Sequence, residues 1–132
     1  MAKKPTKNNA KFDFKTIKTF EDACTKLALD PTKLPDTSLI PEEFSRPIIA
    51  AYKLMIIFKA INQGWIPDWN DYDQYKYYPW FGVLSSGFGF SASAFNSACT
   101  STCVGSRLCF SSREKSDYAA TQFIDLYKQF LL

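Results

Sequence analysis

The stretch YKYYPWFGVLSSGFGFSASAFNSACTSTCVGSRLCF, residues 75–110, determines which fold classes are open to this chain. Residues 75–83 are rich in aromatic side chains of high β-propensity and predict a first strand, with Pro79 marking an edge or a bulge. Residues 85–87, Ser-Ser-Gly, predict a turn, and the alternation in residues 88–91 predicts a second strand. Residues 107–111 predict a third strand. The stretch therefore predicts a small antiparallel sheet.

Two helical patterns precede this sheet. The first covers residues 20–29, with Thr19 as N-cap and Asp22 as its capping-box partner. The second starts between Pro41 and Pro47 and runs to about residue 63; Pro47 fits a first turn if Ser45 is the cap. Because this second segment is apolar nearly all round, we expect it to be buried as the core helix.

One helix follows the sheet. Ser111 is its expected N-cap, with Glu114 at the capping-box position, and residues 118–130 carry a regular apolar stripe. The predicted fold class is therefore α+β, with a small antiparallel sheet of about three strands and helices packed on one face, in the order α-α-β-β-β-α. Residues 1–16 are expected to form a flexible basic arm, and residues 17–132 a single globular domain.

Composition adds limits of its own. Aromatic residues make up 17% of the chain, so they must supply much of the core and some of the surface. The first 18 residues carry six lysines and one aspartate, a net charge of +5. The whole chain has +3, so the remainder carries −2. Such an arm can bind nucleic acid or an acidic surface, although a solvated N-terminus explains the same pattern.

Nothing in the sequence predicts contact with a membrane. No apolar segment follows the first lysines as a signal peptide would require, and the longest apolar stretch, residues 48–61, is too short to span a bilayer. We therefore expect a soluble protein that is not exported through a signal peptide. The four cysteines have no metal-binding spacing, and Cys24 and Cys109 are expected to be buried; whether Cys99, Cys103 and the others are free or bridged stays open.

Enzymatic chemistry is not predicted. The chain has no histidine, which is the commonest general acid or base, and it lacks phosphate-binding and nucleophile-elbow motifs. The acidic residues 68–73 do not follow the calcium-loop pattern, which needs a glycine at its sixth position and a glutamate at its twelfth. We predict no catalytic residue, no metal and no cofactor.

Two binding functions remain. Residues 91–103, SASAFNSACTSTC, are small and unpatterned; they predict either a loop or solvent-facing strands, and on a rigid scaffold they suit a recognition surface. We predict a non-enzymatic binding module with its recognition segment at about residues 85–103, whose partner is another protein, a surface ligand or a second copy of the chain. The predicted contact residues are Tyr77, Trp80, Phe88, Phe90, Ser91, Ser93, Phe95, Asn96, Ser97 and Thr100.

The alternative is single-stranded nucleic-acid binding. Residues 87–90, Gly-Phe-Gly-Phe, match the centre of an RNA-recognition signature, but the flanking residues do not match it. Exposed aromatic side chains could still stack bases beside a basic arm. The lysines predicted to bind in that case are Lys3, Lys4, Lys7, Lys11 and Lys76.

Several words along the chain, FEDACTKL (20–27), GWIPDWN (64–70), YKYYPWF (75–81) and VGSRLCF (104–110), resemble a family of small proteins encoded by gut Bacteroidales and their phages. The resemblance extends over nearly all of the chain after residue 16. It implies a bacterial or phage setting and no established enzymatic activity. It also implies variability between the last two words, as in proteins diversified by a retroelement.

Overall fold

The computed structural model describes residues 11–99 and 107–132. The sequence folds as an α+β domain in which a two-stranded antiparallel sheet packs with four helices, so the predicted fold class is confirmed. A 3-10 turn at Phe14–Thr16 precedes the helices. The helices and strands are, in chain order, α1 (Phe20–Lys26), α2 (Glu42–Asn62), β1 (Lys76–Leu84), β2 (Gly87–Asn96), α3 (Arg113–Gln122) and α4 (Ile124–Leu131).

The third strand was predicted wrongly. Of residues 107–111 only Phe110 pairs with the sheet, through an isolated antiparallel bridge in which Phe110 and Tyr77 exchange backbone hydrogen bonds of 2.7 and 3.0 Å. The Asn62 side chain binds the neighbouring backbone instead: its amide nitrogen donates to the Cys109 carbonyl at 2.9 Å, and its amide oxygen accepts from the Ser111 N–H at 3.2 Å. Residues 109–111 are therefore held by α2 on one side and by β1 on the other.

The C-terminal helix is also divided where a single helix was expected. Phe123, at φ −112° and ψ 28°, leaves helical geometry between α3 and α4, and its buried ring packs in the core. No glycine or proline marks this break in the sequence. The N-cap of α3 is Ser112, whose hydroxyl accepts from the Lys115 N–H, and not Ser111 as predicted. The element order therefore differs from the expected one at both the third strand and the last helix.

Helix α1 starts as its local sequence signals predict, whereas α2 does so only in part. Thr19 and Asp22 form the predicted capping box of α1. Helix α2 begins at Glu42, which places Pro47 inside the helix and makes Ser45 an interior residue; its hydroxyl hydrogen-bonds to Thr37. The cap predicted at Ser45 is therefore wrong, although the helix starts within the expected range.

The core lies between α1, the C-terminal half of α2, α4 and the sheet, and it is largely aromatic. Phe58 of α2 lies 4.0 Å from Phe110 and 6.1 Å from Tyr127, and Phe81 of β1 lies 4.6 Å from Tyr127, each measured between ring centroids. Centroid separations near 4.5–7 Å are typical of stabilising aromatic pairs. These rings connect the hairpin to the helices, as the aromatic composition suggested.

The packed part of the chain extends to the N-terminal side of residue 17. Phe12 and Phe14 pack against the core, and the Phe14 ring lies 5.5 Å from that of Tyr118. The Tyr118 hydroxyl donates to the carbonyl of Ile17 at 2.7 Å and lies 3.1 Å from that of Lys15. Residues 12–16 therefore belong with the globular domain and not with a free arm.

Within the described ranges, no helix combines the length and the apolar character that crossing a membrane requires.

Candidate functional site

The predicted contact residues lie on one antiparallel hairpin. Strands β1 and β2 pair from Lys76 opposite Asn96 to Leu84 opposite Gly87, and Ser85 and Ser86 form the turn. The register shifts between Trp80 and Phe81, where Ser91 is the extra residue on β2. Such a bulge bends the strand and increases its twist. Residues 91–96, which the sequence left open as loop or strand, are strand.

One face of this hairpin packs against helices along its middle and is exposed at Val83 and Phe95, toward its two ends. It carries Tyr77, Phe81 and their partners Phe95 and Phe90, because alternate residues of a strand share a face. Ser93 also lies on this face and is buried. Its hydroxyl contacts the Ser116 hydroxyl at 2.7 Å and the Asp117 carboxylate at 2.6 Å, both on α3. Ser93 therefore holds β2 to α3 and cannot be a contact residue for a partner.

An aromatic cluster lies at the open end of this covered face. The rings of Tyr75 and Phe95 are stacked with centroids 4.4 Å apart, and Tyr77 lies 5.9 Å from Phe95. The Arg113 guanidinium lies 5.4 Å from the centre of the Tyr77 ring, within cation–π range. Tyr77 is thereby half-buried, while Tyr75 and Phe95 remain exposed.

The opposite face of the hairpin is buried at Lys76 and Tyr78, near its base, and becomes exposed toward the turn. Trp80 is 54% exposed and Leu84 is 72% exposed. Between them Gly82 pairs with Gly89 across the strands. A Cβ atom added at Gly89 would meet no atom of the described residues within 4 Å, and one at Gly82 would meet only the Gly89 carbonyl oxygen at 4.0 Å. We call these four residues, Trp80, Gly82, Leu84 and Gly89, the hairpin face.

The remaining predicted contact residues are divided among several environments. Phe88 stacks on Phe81 at 4.8 Å and is half-buried, as is Phe90, whereas Ser91 is exposed at the bulge. Asn96 and Ser97 are half-buried at the end of β2. Thr100, Lys3, Lys4 and Lys7 lie outside the described residues, and Lys11 is exposed at their edge.

Lys76 is fully buried, which corrects its proposed role in nucleic-acid binding. Its ammonium donates to the carbonyl oxygens of Asp71 at 2.8 Å and Ser97 at 3.1 Å, and it lies 5.1 Å from the centre of the Trp69 ring. A lysine is a surface residue by default, and it is almost never fully buried without such partners. Lys76 therefore binds the base of the hairpin to the preceding loop.

The acidic loop is held by its own side chains. The Asp68 carboxylate accepts from the Asn70 N–H at 2.9 Å, and the Asp71 carboxylate accepts from the Asp73 N–H at 3.0 Å. Such side-chain to backbone bonds are typical of turns. Among residues 11–99 and 107–132, no group of three cysteine, aspartate or glutamate side chains is arranged to hold a metal ion.

The three described thiols differ in exposure. Cys24 and Cys109 are buried, as expected, whereas Cys99 is exposed. Burial raises the pKa of Cys109 to about 11, and the nearby Lys76 ammonium only partly opposes this effect. Burial also raises the pKa of Cys24, with smaller contributions from Glu21 and Asp30. Since the thiolate is the reactive form of cysteine, neither buried thiol is suited to act as a nucleophile near neutral pH.

Sequence reasoning missed the two strand glycines and Leu84. A prediction based on aromatic and polar side chains treats a glycine inside a strand only as one position of the alternation. The available signal was that glycine weakens a strand and often marks a close approach by another backbone or a ligand. The pairing of Gly82 with Gly89 could not be known without the register.

Comparisons of the chain with models of known protein families, with curated proteins and with solved structures give no match.

Proposed function

We propose that this protein is a non-enzymatic binding module that contacts another polypeptide through the hairpin face. The observation that carries the proposal is the open Gly82–Gly89 pair between two exposed apolar side chains. The proposal moves the recognition surface from the segment predicted at residues 85–103 to the hairpin face, of which Gly89 lies within that segment and Trp80, Gly82 and Leu84 precede it.

Within the described residues, backbone conformation does not explain why positions 82 and 89 are glycine. Neither has a positive φ, unlike Gly87 at the turn. A β-branched residue would be favoured by about 1 kcal/mol on a pleated surface of this kind. Keeping glycine at both positions therefore lowers stability without improving internal packing. A partner that approaches the strand backbone closely supplies the missing reason.

The side chains beside the glycines suit a protein interface. Tryptophan is strongly enriched among residues that dominate binding energy, and Trp80 is more than half exposed. Leu84 extends the apolar surface toward the turn. A polypeptide lying across the glycine pair would bury both side chains and could approach the backbone between them. The phage association of this module is proposed on the sequence resemblance alone.

The test compares three variants as bait against extracts of phage-infected and uninfected Bacteroidales cells, with retained proteins quantified by mass spectrometry. Gly89→Val places a side chain over the open Gly82–Gly89 pair, and Trp80→Ala removes the exposed indole ring. Val83→Thr is the matched control. Val83 is next to Gly82 in the chain and is itself exposed, but its side chain lies on the face of the hairpin opposite to the hairpin face. A partner of the hairpin face is retained by the wild type and by Val83→Thr, and lost with both other variants.

Two results would contradict the proposal. The first is a bound protein that Gly89→Val and Trp80→Ala retain as well as the wild type does. The second is loss of the cooperative unfolding transition in Gly89→Val, which would show that the glycine serves the fold. Sedimentation velocity of the same variants identifies a second copy of the chain as the partner, through a concentration-dependent dimer that only wild type and Val83→Thr form.

Single-stranded nucleic-acid binding remains the alternative, and the stacked, exposed rings of Tyr75 and Phe95 favour it. Burial of Lys76 removes one of its predicted contacts. It predicts salt-dependent retention of oligothymidine that disappears when residues 1–10 are deleted. The deletion stops at residue 10 because residues 12–16 pack against the domain. Equal retention with and without these residues would argue against it.

A further inference from the structure

A cavity of about 640 Å³ lies between the C-terminal half of α2 and the loop that follows this helix. Its volume falls within the range of about 300–1,000 Å³ that is usual for small-molecule sites. The walls are mostly apolar and aromatic, and they come from both elements: Tyr52, Met55 and Ile56 from α2, and Trp65, Ile66 and Trp69 from the loop. The cavity lies apart from the hairpin face, since neither Trp80 nor the strand glycines line it.

Two of the polar residues at the cavity already have roles within the protein. Asn62 uses its amide nitrogen on the Cys109 carbonyl and its amide oxygen on the Ser111 N–H. Cys109 is buried, and because its pKa is raised to about 11 its thiol is neutral at physiological pH. These groups therefore add no charge to the walls.

Two cations remain. Lys59 of α2 and Arg107 both line the cavity and are exposed, so they lie where it meets solvent. Neither side chain forms a hydrogen bond or an ion pair with another described residue, and no aspartate or glutamate is among the described lining residues. The site thus combines an apolar interior with uncompensated positive charge at its edge.

We propose that this cavity binds an amphipathic monocarboxylate, with its apolar body against Trp65, Trp69 and Ile56 and its carboxylate at Lys59 and Arg107. The apolar body gains free energy from leaving water. The carboxylate gains charge-assisted hydrogen bonds, which are stronger than neutral ones, and Arg107 can supply two donors in a fork. A cationic amphiphile of the same length meets two like charges, and a neutral one forgoes the charge-assisted bonds.

The experiment uses dodecanoate below its micelle concentration, with dodecanol and dodecyltrimethylammonium as ligands with the same tail. Trp80→Phe provides the background for fluorescence, because the two remaining tryptophans, Trp65 and Trp69, both line the cavity. Dodecanoate is expected to change their emission saturably and to bind at least tenfold more tightly than either other ligand. Calorimetry on the wild type gives the same affinities independently.

Charge variants then locate the head group. The double variant Lys59→Gln, Arg107→Gln is expected to weaken dodecanoate binding by roughly tenfold or more, which corresponds to about 1.4 kcal/mol or more, and to leave dodecanol binding unchanged. Lys53→Gln is the matched control on the same helix, since its ammonium lies 5.3 Å from the Phe20 ring and does not line the cavity. Thermal unfolding of each variant verifies that it folds.

The proposal fails if dodecanoate and dodecanol bind with equal affinity, because the cations then play no part. It also fails if no ligand alters the emission of the Trp80→Phe protein, or if Lys53→Gln weakens binding as much as the double variant does. Ile56→Phe in the Trp80→Phe background, which places a larger side chain in the cavity without adding a tryptophan, should abolish the emission change in a protein that still unfolds cooperatively.

Discussion

Replacing Lys76 by methionine should destabilise the protein markedly, although the substitution removes a charge from a buried position. Methionine has a side chain of similar length and leaves little empty volume, so the change isolates the ammonium. The wild-type ammonium donates to the carbonyls of Asp71 and Ser97 and lies against the Trp69 ring. The variant loses all three contacts at once.

The magnitude follows from these contacts. A hydrogen bond to a charged group contributes about 1.5–3 kcal/mol, and a cation–π contact about 0.5–2 kcal/mol. The favourable sum is opposed by the cost of removing the ammonium from water, which amounts to several kcal/mol before compensation. Asp71 is exposed and Ser97 half-buried, so water can satisfy part of what is lost. The net loss should be about 2–3 kcal/mol, and the melting temperature should fall by roughly 6–12 °C.

Urea unfolding followed by far-ultraviolet circular dichroism measures the global loss, and tryptophan emission in the Trp80→Phe background reports on the loop that carries Trp65 and Trp69. Lys53→Met is the control. The Lys53 ammonium contacts one aromatic ring, that of Phe20, so its removal should change the free energy of unfolding by less than about 1 kcal/mol. If Lys76→Met unfolds at the wild-type urea concentration or above, the desolvation cost equals or exceeds the contacts and the reasoning is refuted.

Three further predictions concern polar side-chain groups in the core or at its edge. Tyr127→Phe should raise the free energy of unfolding by about 1 kcal/mol, because the fully buried Tyr127 hydroxyl has no hydrogen-bond partner among the described residues; a fall in urea midpoint would contradict this. Tyr118→Phe should lower it by a similar amount, since that hydroxyl donates to the Ile17 carbonyl, and an unchanged midpoint would show the bond to be without effect. The pKa of Cys109 is raised from 9.0 to about 11 in the folded state, so the folded protein holds this proton more tightly, and stability should be full below pH 9 and fall as pH rises from about 9 to about 11. Urea midpoints measured between pH 8 and pH 11 should fall less steeply in Cys109→Ala, and identical slopes would exclude the thiol as a cause.

The parts of the fold that sequence predicted correctly depend on local chemistry. The capping box at Thr19 and Asp22 needs only residues three positions apart, and the turn at residues 85–86 needs only its own Ser-Ser-Gly sequence. The hairpin strands follow from β-propensity and alternation. Each of these features is decided within about ten residues, and each begins close to its predicted position, although β2 continues to Asn96, beyond the predicted residues 88–91.

The parts that failed depend on partners distant in sequence. The strand predicted at residues 107–111 is reduced to one bridge, and the backbone beside that bridge is bound by Asn62, 47 residues before Cys109. The helix break at Phe123 is associated with burial of that ring in the core. The neighbouring sequence contains no glycine or proline that would predict the break. Tertiary context overrides local propensity in both cases.

In the candidate site, too, the failed predictions depend on partners distant in sequence. Two of them assign a role from residue type alone. Lys76 was assigned to nucleic acid because lysine is usually a surface cation, and Gly82 and Gly89 were passed over because glycine has no side chain to contribute. In the folded hairpin these expectations are reversed: Lys76 is an internal hydrogen-bond donor, and the glycine pair is the open part of the surface. Both reversals follow from register and burial, which composition does not contain. A binding surface that paired glycines leave open can therefore be recognised only after the strands are paired. Its test is a substitution that adds a side chain at one of these glycines.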